Sequence, residues 1–182
     1  YAVDILGVKD GGRPLLVVVP AFVVLEMRQS KPFLYTPNTL TISLRTNIDV
    51  AAGSSLVLDG LLGTAHATGD ALQVDATPTG IFALTTQPLL AGEVGLQARI
   101  DVLSNLPAQT SVTVQIFVEN GNVEQGGLSM NPAPVIKAGL RPIIPMTILD
   151  ILQAPLLGVP AGLQPLVMIE AKFTSADIEQ LS

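Results

Sequence analysis

The chain has 182 residues, of which 48% are hydrophobic and only 13% charged, so it has ample material for a core and too little charge for a disordered tail. Its net charge is −6 and it has no basic cluster, which argues against binding to nucleic acid or to anionic membrane surfaces. Because it contains no cysteine, a disulfide framework and a thiolate metal site are both excluded.

Apolar runs and alternating patterns predict strands through the first half of the chain. Residues 15–25 form a long apolar run interrupted by Pro20, which implies a sheet edge, a bulge or a crossing between sheets, because proline has no N–H to donate. Residues 39–45 and 55–59 alternate apolar and polar side chains, which is typical of strands with one buried face.

The second half of the chain shows the same signals. Four further strands are predicted at residues 72–75, 81–85, 94–101 and 111–118. The first two should pair around the Pro78-Thr79-Gly80 turn, and Asn120-Gly121 should turn the chain after the last one. The residues that the alternating patterns predict to be buried are Ile42, Leu44, Leu56, Leu58, Ile100, Val114 and Ile116.

Seven or more short strands at this spacing predict an all-β fold, an antiparallel immunoglobulin-like β-sandwich. The prediction concerns the architecture alone, because the chain has neither Trp nor the cysteine pair that marks immunoglobulin domains. Helix should be scarce, with residues 146–153 and 175–181 forming a turn or two at most.

Eight residues near the start of the chain recur near its end, in one ungapped frame with an offset of 151. They are Leu6, Gly7, Val8, Gly11, Pro14, Leu15, Phe22 and Gln29, which recur as Leu157, Gly158, Val159, Gly162, Pro165, Leu166, Phe173 and Gln180. Repetition at a fixed period is the mark of an array, and arrays serve length and surface more often than chemistry. The chain is therefore predicted to hold one repeat and the first strand of the next.

Three parts are predicted from this repeat. Residues 1–137 form a β-sandwich repeat, residues 138–164 form a proline-rich apolar joint, and residues 165–182 are the start of the next repeat or a donor strand. Asp150 is the single charged residue between positions 142 and 169. Insertion into a membrane is nevertheless not expected, because prolines interrupt this stretch and a spanning helix needs about 20 apolar residues with few breaks.

An apolar joint of this kind is expected to be covered by its own sandwich or by a neighbouring chain. One small sandwich cannot easily cover the joint as well as its own core, so contact between copies, or between adjacent repeats, is predicted. This contact should be head-to-tail, and isolated material should not be monomeric. The predicted assembly interface consists of Ile143, Ile144, Ile148, Ile151, Leu156, Val167, Ile169 and Phe173.

Three motifs occur in the order of a known repeat module. They are Pro14-Leu-Leu-Val-Val-Val-Pro-Ala-Phe22, Asn38-Thr-Leu-Thr-Ile-Ser-Leu44 and Ala51-Ala-Gly-Ser-Ser-Leu-Val-Leu-Asp-Gly-Leu-Leu-Gly63. This order resembles a tandem β-sandwich repeat module of very large secreted or cell-surface proteins of unicellular algae and related protists. The resemblance covers the first third of the chain and, more loosely, residues 106–138. It implies an extracellular or cell-surface location and no known activity, and the apolar stretch at residues 142–162 departs from the module.

No residue is assigned a catalytic, cofactor-binding or metal-binding role. His66 is the single histidine, and a solvated loop position is expected for it, because zinc or triad chemistry needs partners that the sequence lacks. Five aspartates near predicted strand ends could serve calcium sites, but solubilising turn residues are the favoured interpretation, since no Asp-x-Asp cluster is present. They are Asp49, Asp59, Asp70, Asp75 and Asp101.

The function predicted from these observations is that of a structural repeat unit in an extracellular filament, appendage or surface coat, with copies of itself or adjacent repeats as partners. The alternative is an adhesion module that binds glycan or protein through its loops. An enzymatic role is not expected. O-linked glycan is a further candidate partner at Thr36-Pro37, at Thr77-Pro78-Thr79 and at Gln109-Thr110-Ser111.

Overall fold

The computed structural model describes residues 3–13, 15–61, 63–65, 73–84, 96–126, 136–141 and 143–172. Within these ranges the chain forms eleven β-strands and no helix. The strands are β1 (Phe22–Gln29), β2 (Pro37–Thr46), β3 (Ser55–Leu61), β4 (Thr64–Ala65), β5 (Gln73–Thr77), β6 (Phe82–Leu84), β7 (Leu96–Val102), β8 (Val112–Asn120), β9 (Lys137–Arg141), β10 (Thr147–Ile148) and β11 (Asp150–Ile151).

The strands are arranged in two sheets that pack face to face. The first sheet has the order β11-β1-β2-β8, and β4 and β5 both pair with the remaining edge of β8. The second sheet has the order β10-β9-β3-β7-β6. Every pairing is antiparallel except that of β1 with β11, which is parallel. The predicted antiparallel β-sandwich is therefore confirmed.

The core lies between the two sheets and follows the alternation seen in the sequence. In β2 and β8 every second residue is buried, because successive side chains of a strand point to opposite faces. All seven residues predicted to be buried are at most 1% exposed, at positions 42, 44, 56, 58, 100, 114 and 116. Each such aliphatic side chain contributes about 1.5–3 kcal/mol on burial.

Two strands predicted to form a hairpin belong to different sheets. β5 pairs with β8 in the first sheet, whereas β6 pairs with β7 in the second, so the turn at residues 78–80 carries the chain from one layer to the other. The hairpin prediction was wrong because alternation identifies a strand without identifying its neighbour. The neighbour is decided by which sheet edge lies within reach after the core is buried.

The long apolar run at residues 15–25 is only partly a strand. β1 begins at Phe22, after Pro20, and residues 15–19 lie outside both sheets with exposed side chains. The side chain of Asn47 holds the entry to β1, since it accepts a hydrogen bond from Ala21 N at 2.8 Å and donates one to Val19 O at 2.9 Å.

The apolar segment that was predicted to be a separate joint begins inside the sandwich. Its predicted boundary at residue 138 falls within β9, which is bonded to β3 on one side and β10 on the other. Leu149 N then bonds to Ile136 O at 3.1 Å, and β11 extends the first sheet beside β1. Residues 138–151 therefore supply two sheet edges and part of the core, and the repeated segment begins only after them.

Two neighbouring residues of this segment offer a test, because Leu149 is 2% exposed and Ile148 is 66% exposed. Leu149→Ala should lower the free energy of unfolding by about 2–5 kcal/mol, since it leaves a cavity in the core. Ile148→Ala, the matched control, should change it by less than about 0.5 kcal/mol. Urea denaturation of both variants measures the difference, and equal effects would contradict the assignment of this segment to the sandwich.

Candidate functional site: the repeated joint and its polar clamp

The repeated segment has the same backbone conformation near both ends of the chain. We call residues 3–18 the N-terminal joint, of which Pro14 lies outside the described residues, and residues 154–169 the C-terminal joint. The second of these overlaps only the end of the joint predicted at residues 138–164. Each joint has positive φ at the same four positions, three of them non-glycine residues, for which such angles are uncommon. They are Leu6 (51°), Gly7 (75°), Asp10 (58°) and Leu15 (72°) in the first joint, and Leu157 (52°), Gly158 (79°), Ala161 (55°) and Leu166 (64°) in the second.

Six backbone hydrogen bonds of the joint also recur at the offset of 151. In the N-terminal joint the donor and acceptor residues of these bonds are, in order, 5→8, 8→5, 11→8, 12→3, 13→10 and 16→13, where the first residue gives its amide and the second its carbonyl. In the same order, their lengths are 3.2, 2.9, 3.1, 2.8, 2.9 and 3.3 Å. The equivalent bonds of the C-terminal joint measure 3.1, 2.9, 3.0, 2.9, 2.9 and 3.3 Å, so no pair differs by more than 0.1 Å. The sequence repeat is therefore a repeat of backbone structure, including its left-handed turns.

The C-terminal joint is held by the side-chain amide of Gln29, the last residue of β1. Its Nε2 donates to Gly162 O at 3.0 Å and to Val167 O at 2.8 Å, and its Oε1 accepts from Leu166 N at 3.1 Å. Oε1 also accepts from Asn38 Nδ2 at 3.1 Å. Because an amide side chain has two donors and two acceptor lone pairs, the hydrogen-bonding capacity of Gln29 is filled.

Two buried asparagines orient this glutamine. Asn38 Nδ2 also donates to Asn120 Oδ1 at 2.9 Å, and Asn38 Oδ1 accepts from Ser30 N at 3.1 Å and Lys31 N at 3.0 Å. Asn120 Nδ2 donates to the carbonyls of Lys31 and Phe33, at 2.9 and 2.8 Å. We call Gln29, Asn38 and Asn120 the polar clamp. All three are at most 3% exposed, so their bonds form where unpaired groups would be costly.

Beyond the clamp, the end of the C-terminal joint pairs with two loops of the sandwich. Met168 exchanges two backbone bonds with Gln125, at 2.9 and 2.7 Å, and Ile169 N donates to Pro32 O at 2.8 Å. Leu166, Val167 and Met168 are at most 1% exposed. The end of the joint is thus built into the core of its own sandwich.

The N-terminal joint contacts the opposite end of the sandwich through its first turn. Asp49 N donates to Leu6 O at 2.8 Å, and Ala108 N donates to Asp49 Oδ1 at 2.7 Å. A Cβ placed on Gly7 would collide with Ala108 Cβ and Asp49 Oδ1, so this position requires glycine for its space as well as for its φ. We call Asp49 and Ala108 the turn site.

The residues predicted to form an assembly interface do not share one surface. Ile144 (2% exposed) and Val167 (1%) are buried in the sandwich, and Ile143 packs partly against the same core. Ile148 is exposed, whereas Ile151, Leu156 and Ile169 are half-buried. Phe173 lies outside the described residues. In this single chain, residues 167–169 pair with their own sandwich.

The clamp was missed at the level of sequence although its signal was present. Gln29, Asn38 and Asn120 lie in phase with the buried residues of β1, β2 and β8, at the same end of three adjacent strands. Polar residues at buried positions call for hydrogen-bond partners. The local sequence points elsewhere, because Asn120-Gly121 has the pattern of a turn and Gln29 stands out only through its recurrence as Gln180.

A shallow surface pocket of about 420 Å³ lies beside the clamp and is lined by Leu34, Tyr35, Asn122, Glu124, Glu170 and Ala171. Glu124 Oε1 accepts a bond from Glu170 N at 2.9 Å, and Glu170 Oε2 lies 2.9 Å from Lys172 Nζ. The hydrogen bond and charge of Glu170 raise the pKa of Lys172. The two acids are thus engaged by groups of the chain itself.

Other chemistry is sparse in the described part of the chain. It contains no group of three His, Cys, Asp or Glu side chains placed to hold a metal ion. His66 and Asp70 lie outside it. None of its segments is a helix long and apolar enough to span a membrane.

No protein-family model, curated protein or solved structure matches this chain.

The clamp can be tested with Gln29→Ala, which leaves one amide and two carbonyls of the buried joint without their partner. We expect the free energy of unfolding to fall by about 3 kcal/mol or more, since each buried unpaired group costs roughly 1–3 kcal/mol. Gln115→Ala, on the exposed face of β8, is the matched control and should cost less than about 0.5 kcal/mol. Amide exchange should accelerate at Leu166 in the first variant alone; unchanged exchange there would refute the clamp.

Proposed function

We propose that this chain is a structural repeat unit of an extracellular filament, appendage or surface coat, in which repeats follow one another head to tail. The observation that carries the proposal is the doubled joint: one backbone structure occurs before and after one sandwich. A segment that recurs on both sides of a domain, in the same conformation, is what a tandem array requires of its connections.

The two joints contact opposite ends of the sandwich, which supports a directional array. The clamp includes Asn38 at the start of β2, and the turn site includes Asp49 just beyond the end of β2. β2 has 10 residues, so at about 3.3 Å per residue the two sites are roughly 30 Å apart. An entry and an exit at opposite ends generate an extended head-to-tail chain, because such a contact propagates and does not close.

The extracellular location is part of the proposal and is supported by the resemblance of the first third of the chain to repeat modules of secreted and cell-surface proteins. Thr77, Thr79 and Ser111 are exposed and accessible for O-linked sugar. The hydroxyl of Thr36 donates to Phe33 O at 2.8 Å and is therefore engaged within its own loop.

The proposal predicts the distribution of the protein on its native material. Antibodies against the sandwich should label extracellular fibres or a surface layer in electron micrographs, with gold particles at regular intervals, because each repeat presents the same epitope. Antibodies pre-absorbed with the purified chain are the control. Labelling confined to the cell interior would contradict the proposed location, and scattered labelling without a period would contradict the array.

An adhesion module is the second candidate, and the pocket beside the clamp is the observation that favours it. Tyr35 at this pocket is 66% exposed, and an exposed aromatic ring next to acidic groups is a surface on which a sugar can stack. Tyr35→Ala should then abolish binding on a glycan array, whereas Val123→Ala, equally exposed at 66%, should not. No glycan binding by the unaltered chain would contradict the glycan-binding form of this candidate and leave adhesion to protein as its remaining form.

A further inference from the structure

The N-terminal joint ends in an apolar strip that its own sandwich does not cover. We call residues 15–18 the apolar strip, in which Leu15 is 98% exposed and Val17 84%. The equivalents of Leu15 and Val17 in the C-terminal joint are Leu166 and Met168, which are both fully buried. The same positions of one repeated structure are thus exposed in one copy and part of a core in the other.

The exposed strip also presents the backbone groups that the clamp binds. In the C-terminal joint, Gln29 bonds to Gly162 O, Leu166 N and Val167 O. The groups at the offset of 151 are Gly11 O, Leu15 N and Leu16 O. They are carried on the same backbone conformation, because the φ angles and six internal hydrogen bonds agree between the joints.

The side chains of the strip are compatible with the site that residues 166–169 occupy in the sandwich. Leu15 is identical to Leu166, and residues 16–18 (Leu, Val, Val) replace residues 167–169 (Val, Met, Ile) with apolar side chains that each differ by one heavy atom, in opposite directions, so that the total volume changes little. Volume-conserving apolar exchanges are the ones that a packed core tolerates best.

The C-terminal joint is incomplete on its other face. A Cβ placed on its turn residue Gly158 would meet nothing within 4 Å. In the N-terminal joint the equivalent turn binds Asp49 and packs against Ala108. Each joint therefore has two contact faces, and in this chain each has a different one occupied.

We propose that every joint binds two successive repeats at once, its turn on the turn site of the following sandwich and its apolar strip in the polar clamp of the preceding one. This inference rests on the proposed head-to-tail array and names the contact that builds it. The partner of residues 15–18 is a second copy of this sandwich, placed before the joint. Gln180 stands at the position of Gln29, so the clamp glutamine recurs in the sequence that follows the C-terminal joint.

Such a joint would fix the angle between neighbouring sandwiches. A flexible linker leaves domains free to rotate, whereas a segment bonded to both neighbours and buried on one face holds them rigidly. The array would behave as a stiff rod whose stiffness comes from the clamp.

A tandem chain tests this directly. It consists of residues 1–153 of one copy followed by residues 3–182 of a second copy. The N-terminal joint of the second copy then takes the place of the C-terminal joint of the first. Because the chain contains no cysteine, Gln125→Cys in the first copy and Val17→Cys in the second report a single contact. Val17 of the second copy takes the place of Met168, which exchanges two backbone hydrogen bonds with Gln125 in the single chain. The Cα atoms of such a pair lie close enough for a disulfide between cysteines at the two positions. We expect the disulfide to form, and Val23→Cys in place of Val17→Cys, which is exposed outside the joint, to remain reduced.

A charge in the strip separates this contact from folding. Leu15→Asp should leave the unfolding midpoint of the single chain unchanged, because the side chain is exposed there. In the tandem chain the same substitution in the second copy should lower the midpoint and prevent the disulfide. In the unaltered tandem chain, amides of Leu15, Val17 and Val18 should exchange at least about tenfold more slowly than in the single chain.

The outcomes distinguish this inference from the proposed function. If the disulfide does not form and residues 15–18 exchange equally fast in single and tandem chains, the two-sided joint is refuted. Regular labelling of extracellular material would in that case still support a structural repeat. If the disulfide forms but the native protein is intracellular, the joint stands and the proposed function fails.

Discussion

The buried side-chain amide of Gln29 is the interaction on which the arrangement of this molecule depends. It ends β1, bonds to the neighbouring strand through Asn38, and satisfies three backbone groups of a segment more than 130 residues later in the chain. A buried amide with all four of its hydrogen-bonding positions used tolerates little displacement, because moving it leaves several groups unpaired at once. The end of the sandwich is therefore fixed by polar geometry, whereas its middle is fixed by apolar packing.

The clamp also explains how an irregular segment can be part of a core. The C-terminal joint contains three non-glycine residues with positive φ and is not a strand of either sheet, yet Leu166 and Met168 are fully buried. A strained backbone persists where its surroundings over-determine it. Here the bonds from Gln29, the pairing with Gln125 and the internal turns together supply partners for the polar groups that burial would otherwise leave unsatisfied.

The apolar, proline-rich stretch before the joint has a different role. The two-residue strands β10 and β11 lie on either side of Leu149 and cover one edge of each sheet. Leu149 and Ile144 complete the core, and Ile148 remains exposed. Much of the hydrophobicity that suggested a surface for other chains is thus used within one domain. The apolar strip at residues 15–18 is left uncovered by its own sandwich, and Leu15 is 98% exposed.

Alternation and repetition were the features that the sequence determined by itself. Residues such as Ile42, Leu58 and Val114 could be assigned to the core because a strand with period two has one face to bury. The offset of 151 identified the joint because identical segments fold alike, as the shared φ angles of Leu6 and Leu157 show.

Only the tertiary structure decided which partners these elements take. β5 and β6 are adjacent in sequence but lie in different sheets, because pairing depends on the edges that remain after the core forms. The clamp escaped prediction for a related reason: Gln29, Asn38 and Asn120 are separated by up to 91 residues and meet only because β1, β2 and β8 are neighbours in one sheet. A local pattern encodes which face of a strand is buried. The hydrogen bonds of a buried polar group depend on chain segments that the pattern around it does not contain.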